Sequence, residues 1–379
     1  MHYDFIITGG GCAGLSLLMR LLQSPRWQHK KILLIDKAAK TANDRTWCFW
    51  ETKAGLFEPV VHHNWDQLYF FSDQTERLFS IAPYRYKMIR GSDFYRHVYE
   101  YLRKYTNVTT EWGEVTAIQN TQDAAQVTVN GHRHTADYVF NSLLLNPPDL
   151  TGYYALQQHF KGWFIRTEKP LFDAGKATLM DFRVGQQHGT TFVYVLPFSS
   201  TTALIEYTLF TRDLLAPEAY DEALKDYVSR FLKTDNYAIE EQEFGVIPMT
   251  NYPFPASDGR IINLGTAGGQ TKSSSGYTFQ FIQKHSEKIV AALDETGKPY
   301  IKRSRSGQRF AFYDATLLHI LDKRKLEGAH VFTDLFRQDD PRTVLKFLDN
   351  ETSLAEDINI MKRLPKLTFA KAAWLELTQ

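Results

Sequence analysis

Three early glycines, Gly9, Gly11 and Gly14, form the pattern G-x-G-x-x-G. They lie between an apolar run, YDFIIT at 3–8, and a helix-like run, LSLLMRLLQS. A second apolar run, KKILLID, follows and ends in Asp36. Strand, glycine turn, helix and strand make a βαβ unit, and each glycine has a physical task in it. The first permits the tight turn, the second lets backbone approach a pyrophosphate, and the third lets helix and strand pack closely. The helix N-terminus then turns its amides and dipole toward the phosphates. Asp36 stands where a carboxylate accepts ribose hydroxyls. Because this unit opens the chain, FAD is favoured over NAD(P) as the dinucleotide.

A second small-residue cluster, Gly265, Thr266, Ala267 and Gly268, follows the apolar stretch RIINL. It would place backbone amides near the same cofactor, with Thr266 where many flavoproteins carry an acid that binds the ribityl chain. The third candidate is Glu206, a lone carboxyl in ALIEYTLF. Strand alternation puts it on one face with Leu204 and Thr208, and Ile205 and Tyr207 on the other. On a half-exposed strand it is a solvated surface acid. In an apolar site it is a carboxyl with a raised pKa, able to donate a proton near neutrality. Trp47, Phe49 and Trp50 can either fill a core or offer ring faces to a cation. Asp181 and Arg183 share a face across Phe182 and fit a salt bridge as well as a site. Two histidine pairs, His62/His63 and His132/His134, lack the carboxylates or cysteines that would complete a metal site, so no metal is expected. Neither a G-x-S-x-G elbow nor a G-x-x-x-x-G-K-[ST] loop occurs.

Composition bounds these readings. The 379 residues suit two or three domains. A formal net charge of +1 argues against a nucleic-acid binder and a disordered polyion. Aromatic content is high at 14%, which suits either well-filled cores or an aromatic-lined cavity for a large apolar ligand. Two cysteines cannot frame a fold with disulfides and imply a reducing compartment. The N-terminus lacks the basic segment of a signal peptide, and no apolar run is long enough to span a bilayer. The expected location is cytoplasmic, with the basic stretch 302–309 a candidate contact for anionic headgroups.

The elements between the motifs set the expected architecture. Strands are expected over 68–71, 78–82, 108–118, 125–130 and 133–140, with a helix over 92–106. The stretch 159–212 reads as antiparallel strands, followed by helices over 217–233 and 277–293. The expected fold is α/β (α+β): a Rossmann-like FAD-binding domain of the glutathione-reductase/hydroxylase type, formed discontinuously by 1–150 and 245–300. An antiparallel β substrate domain, 151–244, is inserted in it, and 301–379 forms a C-terminal helical region.

Several segments, taken in order, resemble one family. LGTAGGQTKSSSGY at 264–277 is similar to the G-T-A-G…S-[ST]-G-Y signature of the FAD-dependent lycopene cyclases. LMDFR at 179–183, FVYVLPFSS at 192–200, FGVIPM at 244–249 and DRTWCFW at 44–50 resemble further motifs of that family. ALIEYTLF at 203–210 resembles its acidic motif, with Tyr207 where many members have a second Glu, so the match carries over Glu206 only. The resemblance implies cyclisation of the linear ψ-ends of lycopene to ionone rings, with Glu206 as the acid. It implies reduced FAD, with NADPH or NADH as reductant, yet no net redox. Tyr277 joins the aromatic residues expected to line the substrate. The substrate would be met peripherally, at the inner face of a membrane. A flavin monooxygenase or polyprenyl reductase on the same scaffold is the alternative, and a carotenoid carrier the non-enzymatic one.

Overall fold

The computed structural model describes residues 1–302, 304–338 and 340–378. Arg303 of the basic 302–309 stretch lies outside them. Strand His2–Thr8 runs parallel to Ile32–Asp36 on one side and His132–Asn141 on the other. These central strands are apolar on both faces because both faces are covered, as in parallel sheets generally. The parallel order extends to Val108–Trp112 and Ile261–Asn263, and antiparallel strands Val115–Asn120, Ala125–Val129 and Ser257–Asp258 complete eight strands among the described residues. Helix Cys12–Gln23 packs beside helix Phe279–Thr296, joined by the side-chain bond from Gln283 Nε2 to Ser16 Oγ, 2.9 Å.

Seven strands form the second sheet, in the order Tyr237–Met249, Leu156–Thr167, Thr202–Thr211, Thr190–Pro197, Lys176–Asp181, Gln67–Ser72, Thr75–Ser80. Period-two alternation sorts its side chains between two layers. Trp163, Ile165, Ile205, Tyr207 and Leu209 meet Tyr220, Leu224 and Tyr227 of helix Pro217–Tyr227. Leu204, Phe210, Phe192 and Phe70 face the other way, toward the C-terminal helices, where Phe70 stacks on Phe336 at 4.8 Å.

A three-stranded antiparallel sheet, Thr46–Glu51, Arg85–Arg90 and Val61–Trp65, links the two. Here too alternation divides the load. Phe49 and Ile89 enter the core around the first sheet, while Trp50 and Trp65 enter the core under the second.

Some expectations change. Residues 67–80 fall within the expected 1–150 segment but hydrogen-bond into the seven-stranded sheet, because Gln67–Ser72 finds a parallel partner in Lys176–Asp181. Strand Tyr237–Met249 runs straight through the expected boundary at 244. The expected strand 108–118 is two strands broken at Gly113. The helix expected over 92–106 spans Gly91–Leu102.

Gly14 tests the close-packing argument directly. A Cβ there would penetrate the Gly9 carbonyl oxygen and come within 2.9 Å of Ile7 Cγ2. Gly14→Ala is therefore expected to destabilise the fold by about 1–3 kcal/mol, the usual cost of overpacking, read as a lowered midpoint in denaturant unfolding.

Candidate functional site

The turn after the first strand is built by local geometry. Gly9 has φ +99°, in the region that favours glycine, and Gly10 N–H donates to Asp36 Oδ2 at 2.6 Å. At Gly11 an added Cβ would meet nothing within 4 Å, so the turn faces open space there. The Tyr99 hydroxyl, in the same neighbourhood as Asp36, is buried with no hydrogen-bond partner. Gly265–Gly268 forms a 3-10 turn against the start of the first helix, with Gly265 at φ +58° and its Cβ position 3.0 Å from Ala13 Cβ. The two glycine clusters thus flank one place.

Thr266 of the second cluster also lines a cavity of about 290 Å³ that reaches Glu206. Trp47, Cys48, Tyr86, Phe160, Tyr194 and Tyr277 contribute to its walls. The Tyr194 and Tyr277 hydroxyls are 3.4 Å apart, and Trp50 stands edge-on to Tyr277 from behind. Burial raises the pKa of all three tyrosines and of the Cys48 thiol, which keeps these groups neutral. The Gln158 Oε1 and Ser275 Oγ atoms on the cavity wall are buried without partners.

Glu206 does not stand alone. In the sheet, Gly162 of strand Leu156–Thr167 pairs with Glu206 on one side and with Glu243 on the other. The three residues form one row across three strands and point to one face. Backbones two strands apart are about 10 Å from each other, so two glutamates can meet only over a position without a side chain. Gly162 is that position. A Cβ on it would come within 2.8 Å of Leu204 Cδ1 and 3.0 Å of Glu243 Cγ.

The two carboxyls then stand close enough to influence each other's ionisation directly. Burial pushes the Glu206 pKa well above the usual carboxylate range, and the neighbouring Glu243 charge pushes it further. Thr208 Oγ1, donating at 3.0 Å, opposes this. Burial also raises Glu243, but Thr46 Oγ1 donates to its Oε2 at 2.6 Å, which favours its charged form. Glu243 Oε1 has no donor among the ordinary donors around it, and a proton on Glu206 is the one that fits. Burial and mutual repulsion therefore favour retention of a proton by the pair, and Glu206 is the member raised well above the carboxylate range. Glu206 keeps some accessible surface, as a side chain facing a cavity does, while the protein around it desolvates the carboxyl.

The family model described as lycopene cyclase protein matches residues 4–374. The chain belongs to the lycopene cyclase family. The lycopene beta-cyclase of Pantoea ananas is 29% identical over 263 residues, covering 66% of this chain and 63% of that relative. The chain thus spans less than two thirds of that relative's length. Among solved structures, a geranylgeranyl bacteriochlorophyll reductase-like protein from Thermoplasma acidophilum has a TM-score of 0.63 at 10% identity, covering 98% of both chains. A flavin-dependent brominase has a TM-score of 0.64 at 14% identity, covering 97% of this chain and 99% of its own. At these identities the likeness is one of fold, the Rossmann-type architecture of flavin-dependent enzymes.

Within this cyclase-family fold, the residues singled out from sequence divide. Glu206, Trp47, Tyr277 and Thr266 line one cavity. Gly9, Gly11, Gly14 and Asp36 form the neighbouring turn, with Gly265, Ala267 and Gly268 beside it. Phe49 and Trp50 do not line the cavity. Phe49 stacks on Phe279 at 4.3 Å, and Trp50 is buried with Nε1 donating to the Leu345 carbonyl. Asp181 is not at the cavity either. It is fully buried, bound by Arg183 at 2.6 Å and by the Tyr227 hydroxyl at 2.7 Å, so its role is structural.

Glu243 and Gly162 were not among the expected residues. Their signals exist in the sequence. An isolated glycine inside the strand HFKGWFI marks a close approach, and Glu243 sits two residues before the Gly245 of FGVIPM. The register that joins them is visible only in the sheet.

Gly162→Ala is expected to push Glu243 aside and draw its charge away from Glu206. The Glu206 pKa then falls toward the ordinary carboxylate range. Following the carboxylic-acid C=O stretch against pH by infrared difference spectroscopy should show the acid form lost at lower pH than in the native protein. An unchanged titration would disprove the row.

Proposed function

We propose that this chain binds FAD and cyclises the ψ-ends of lycopene to β-ionone rings by acid catalysis, without net redox. The observation that carries the reading is the carboxyl of Glu206, its pKa raised by desolvation and by Glu243, in a cavity also lined by Thr266 of the second glycine cluster. Unactivated alkenes are protonated only by a strong, well-placed acid, and the resulting tertiary cation survives only where water is kept out. Leu196, Leu204, Phe160 and Tyr194 give the cavity around Glu206 apolar walls, and a cavity of about 290 Å³ takes the end of a long polyene rather than its whole length.

The residues fit a flavin dinucleotide. Gly11 leaves space that any side chain would fill, and the unpartnered Tyr99 hydroxyl offers a donor beside Asp36. Gly9, Gly11 and Gly14 would hold the pyrophosphate, Asp36 a ribose, and Gly265, Thr266, Ala267 and Gly268 the flavin end. When bound, FAD reduced by NADPH or NADH supplies electron density that stabilises positive charge on the substrate. The unpartnered Gln158 and Ser275 atoms on the cavity wall offer further hydrogen bonds to a ligand.

Glu206 holds the proton that starts ring closure, and the neighbouring Glu243 charge helps it keep that proton. The phenols of Tyr86, Tyr194 and Tyr277 stay neutral, and their rings face the cavity as weak stabilisers of a cation. Lycopene would arrive from the inner face of a membrane, past the exposed Phe244 and Val246 at the cavity. Among the described residues, no helix is long and apolar enough to cross that membrane.

Two measurements check this reading. Gly11→Val should fold, since nothing crowds the position, but should purify without flavin; full flavin content by absorbance would remove the assignment. Glu206→Gln should keep its flavin and lower cyclisation by ~10²–10⁴-fold, the usual loss for a general acid, in a lycopene-accumulating bacterium. Chromatography with mass analysis should find uncyclised lycopene in the variant and rings of unchanged mass with the native protein. A mass change by hydrogen or oxygen would point to a reductase or monooxygenase.

A further inference from the structure

Protonation begins a cyclisation, but a ring is released only when a proton leaves. We infer that Glu243 is the base that takes this second proton, and that its position sets which ring isomer forms. The inference rests on the cyclase reading above. It assigns a role to a residue that the acidic motif around Glu206 does not contain.

The chemistry requires two proton sites side by side. The Glu206 O–H bond breaks as a C–H bond forms at C2 of the terminal double bond, leaving a cation at C1. The electron pair of C5=C6 then makes the C1–C6 bond and moves the cation to C5. Loss of the C6 proton restores a double bond between C5 and C6 and completes a β-ring. C2 and C6 are now bonded to the same carbon, C1. The donor of the first proton and the acceptor of the second must therefore reach neighbouring positions, which two adjacent carboxyls do. A proton passed from Glu243 back to Glu206 restores the starting state, so no atom or electron is gained or lost.

The row Glu206–Gly162–Glu243 has that arrangement. Both carboxyls line the same cavity, and the missing side chain at Gly162 is what lets them touch. Timing follows from the adjacency of the two carboxyls across Gly162. Glu243 Oε1 is buried, and its one fitting donor is the proton on Glu206. When Glu206 gives that proton to carbon, Glu243 Oε1 is left bare beside a second negative charge. Its basicity rises at the step that needs a base. Glu243 Oε1 then has no donor from the protein around it. Thr46 Oγ1 fixes the other oxygen, Oε2, at 2.6 Å and so aims the carboxyl.

Other cavity groups serve less well. The Cys48 thiol and the Tyr86, Tyr194 and Tyr277 phenols are neutral and are poor bases. Asp44 already accepts from the Tyr95 hydroxyl at 2.9 Å.

Ring type enters because the C5 cation has three neighbouring sources of a proton. Loss from C6 gives a β-ring, loss from C4 an ε-ring, and loss from the methyl group an exocyclic double bond. A base held beside the acid selects C6. Without it, the proton leaves to whatever acceptor can reach.

The test uses the full chain with its bound flavin, comparing native protein, Glu243→Gln and Glu243→Asp on lycopene. Gln keeps the volume and can still accept from Thr46, so flavin content should match native. Expected for Glu243→Gln is a ~10²–10⁴-fold loss of cyclisation. Its residual cyclic product should contain ε or exocyclic isomers, and its rate should no longer fall on the acidic side, where Glu243 becomes protonated in the native enzyme. Glu243→Asp should keep β-rings at reduced rate, which separates the base from a folding defect. β-Rings as sole product at near-native rate in Glu243→Gln would overturn the proposal, with Glu206 then acting as acid and base. A slower reaction giving only β-rings with the native pH profile would overturn it too, leaving Glu243 a positioning residue. If the native protein leaves lycopene uncyclised, the cyclase reading itself fails, and this inference with it.

Discussion

Two carboxyls that meet in a water-poor cavity cannot both be charged. Mutual repulsion and desolvation act in the same direction, so the pair retains a proton that either group alone in water would release. The site depends on this constraint, and the constraint depends on the sheet. Glu206 and Glu243 are brought into one row by a strand between them, and they meet because that strand carries Gly162 where its neighbours carry side chains. The row holds its register because adjoining positions are fixed on both faces. Ile205 and Tyr207 are locked against helix Pro217–Tyr227, and Leu204 and Phe210 against the opposite core. A slip of one residue would exchange the faces and expel the carboxyls from the cavity.

The same alternation explains how two sheets of different type share one site. In strand Thr46–Glu51, Phe49 enters the core beneath the dinucleotide turn and Trp50 enters the core beneath the carboxyls. Thr46, at the start of that strand, reaches Glu243, while Trp47 lines the cavity. The small linking sheet therefore fixes the distance between the glycine turn and Glu206. The cavity wall also carries polar atoms that the protein leaves unpaired, at Gln158 and Ser275. Buried groups of this kind normally find partners, and their persistence here is what a wall built for a polar ligand edge would show.

How much of this was legible depended on range in the sequence. The glycine turn was readable because its residues lie within one βαβ unit, where spacing alone states the geometry. The facing of Glu206 was readable because alternation is local to a strand. The partnership with Glu243 was not, since it needs the register of three strands whose members lie far apart in the chain. The aromatic motif around residues 47–50 was only partly legible for a related reason. Its composition left core filling and cavity lining both open; alternation sends Trp50 to the opposite side from Trp47, and Phe49, on the same side as Trp47, is covered by Phe279. Residues 67–80 were assigned by proximity in sequence to the first domain, whereas their hydrogen bonds lie with Lys176–Asp181.

Asp181 shows why burial by itself does not make an acid. It lies in the same sheet as Glu206 and is more completely buried. Its oxygens, however, accept from the Arg183 guanidinium and the Tyr227 hydroxyl, and Arg183 is itself held over the Phe71 ring at 4.0 Å. A carboxyl supplied with a cation and a donor is compensated as an anion, and it ties strand, turn and helix together. Glu206 is given a hydroxyl and a second carboxyl instead. The chain thus places two carboxyls in one sheet and separates their chemistry by what surrounds them, a cation for the one that holds the fold and an anion for the one that holds a proton.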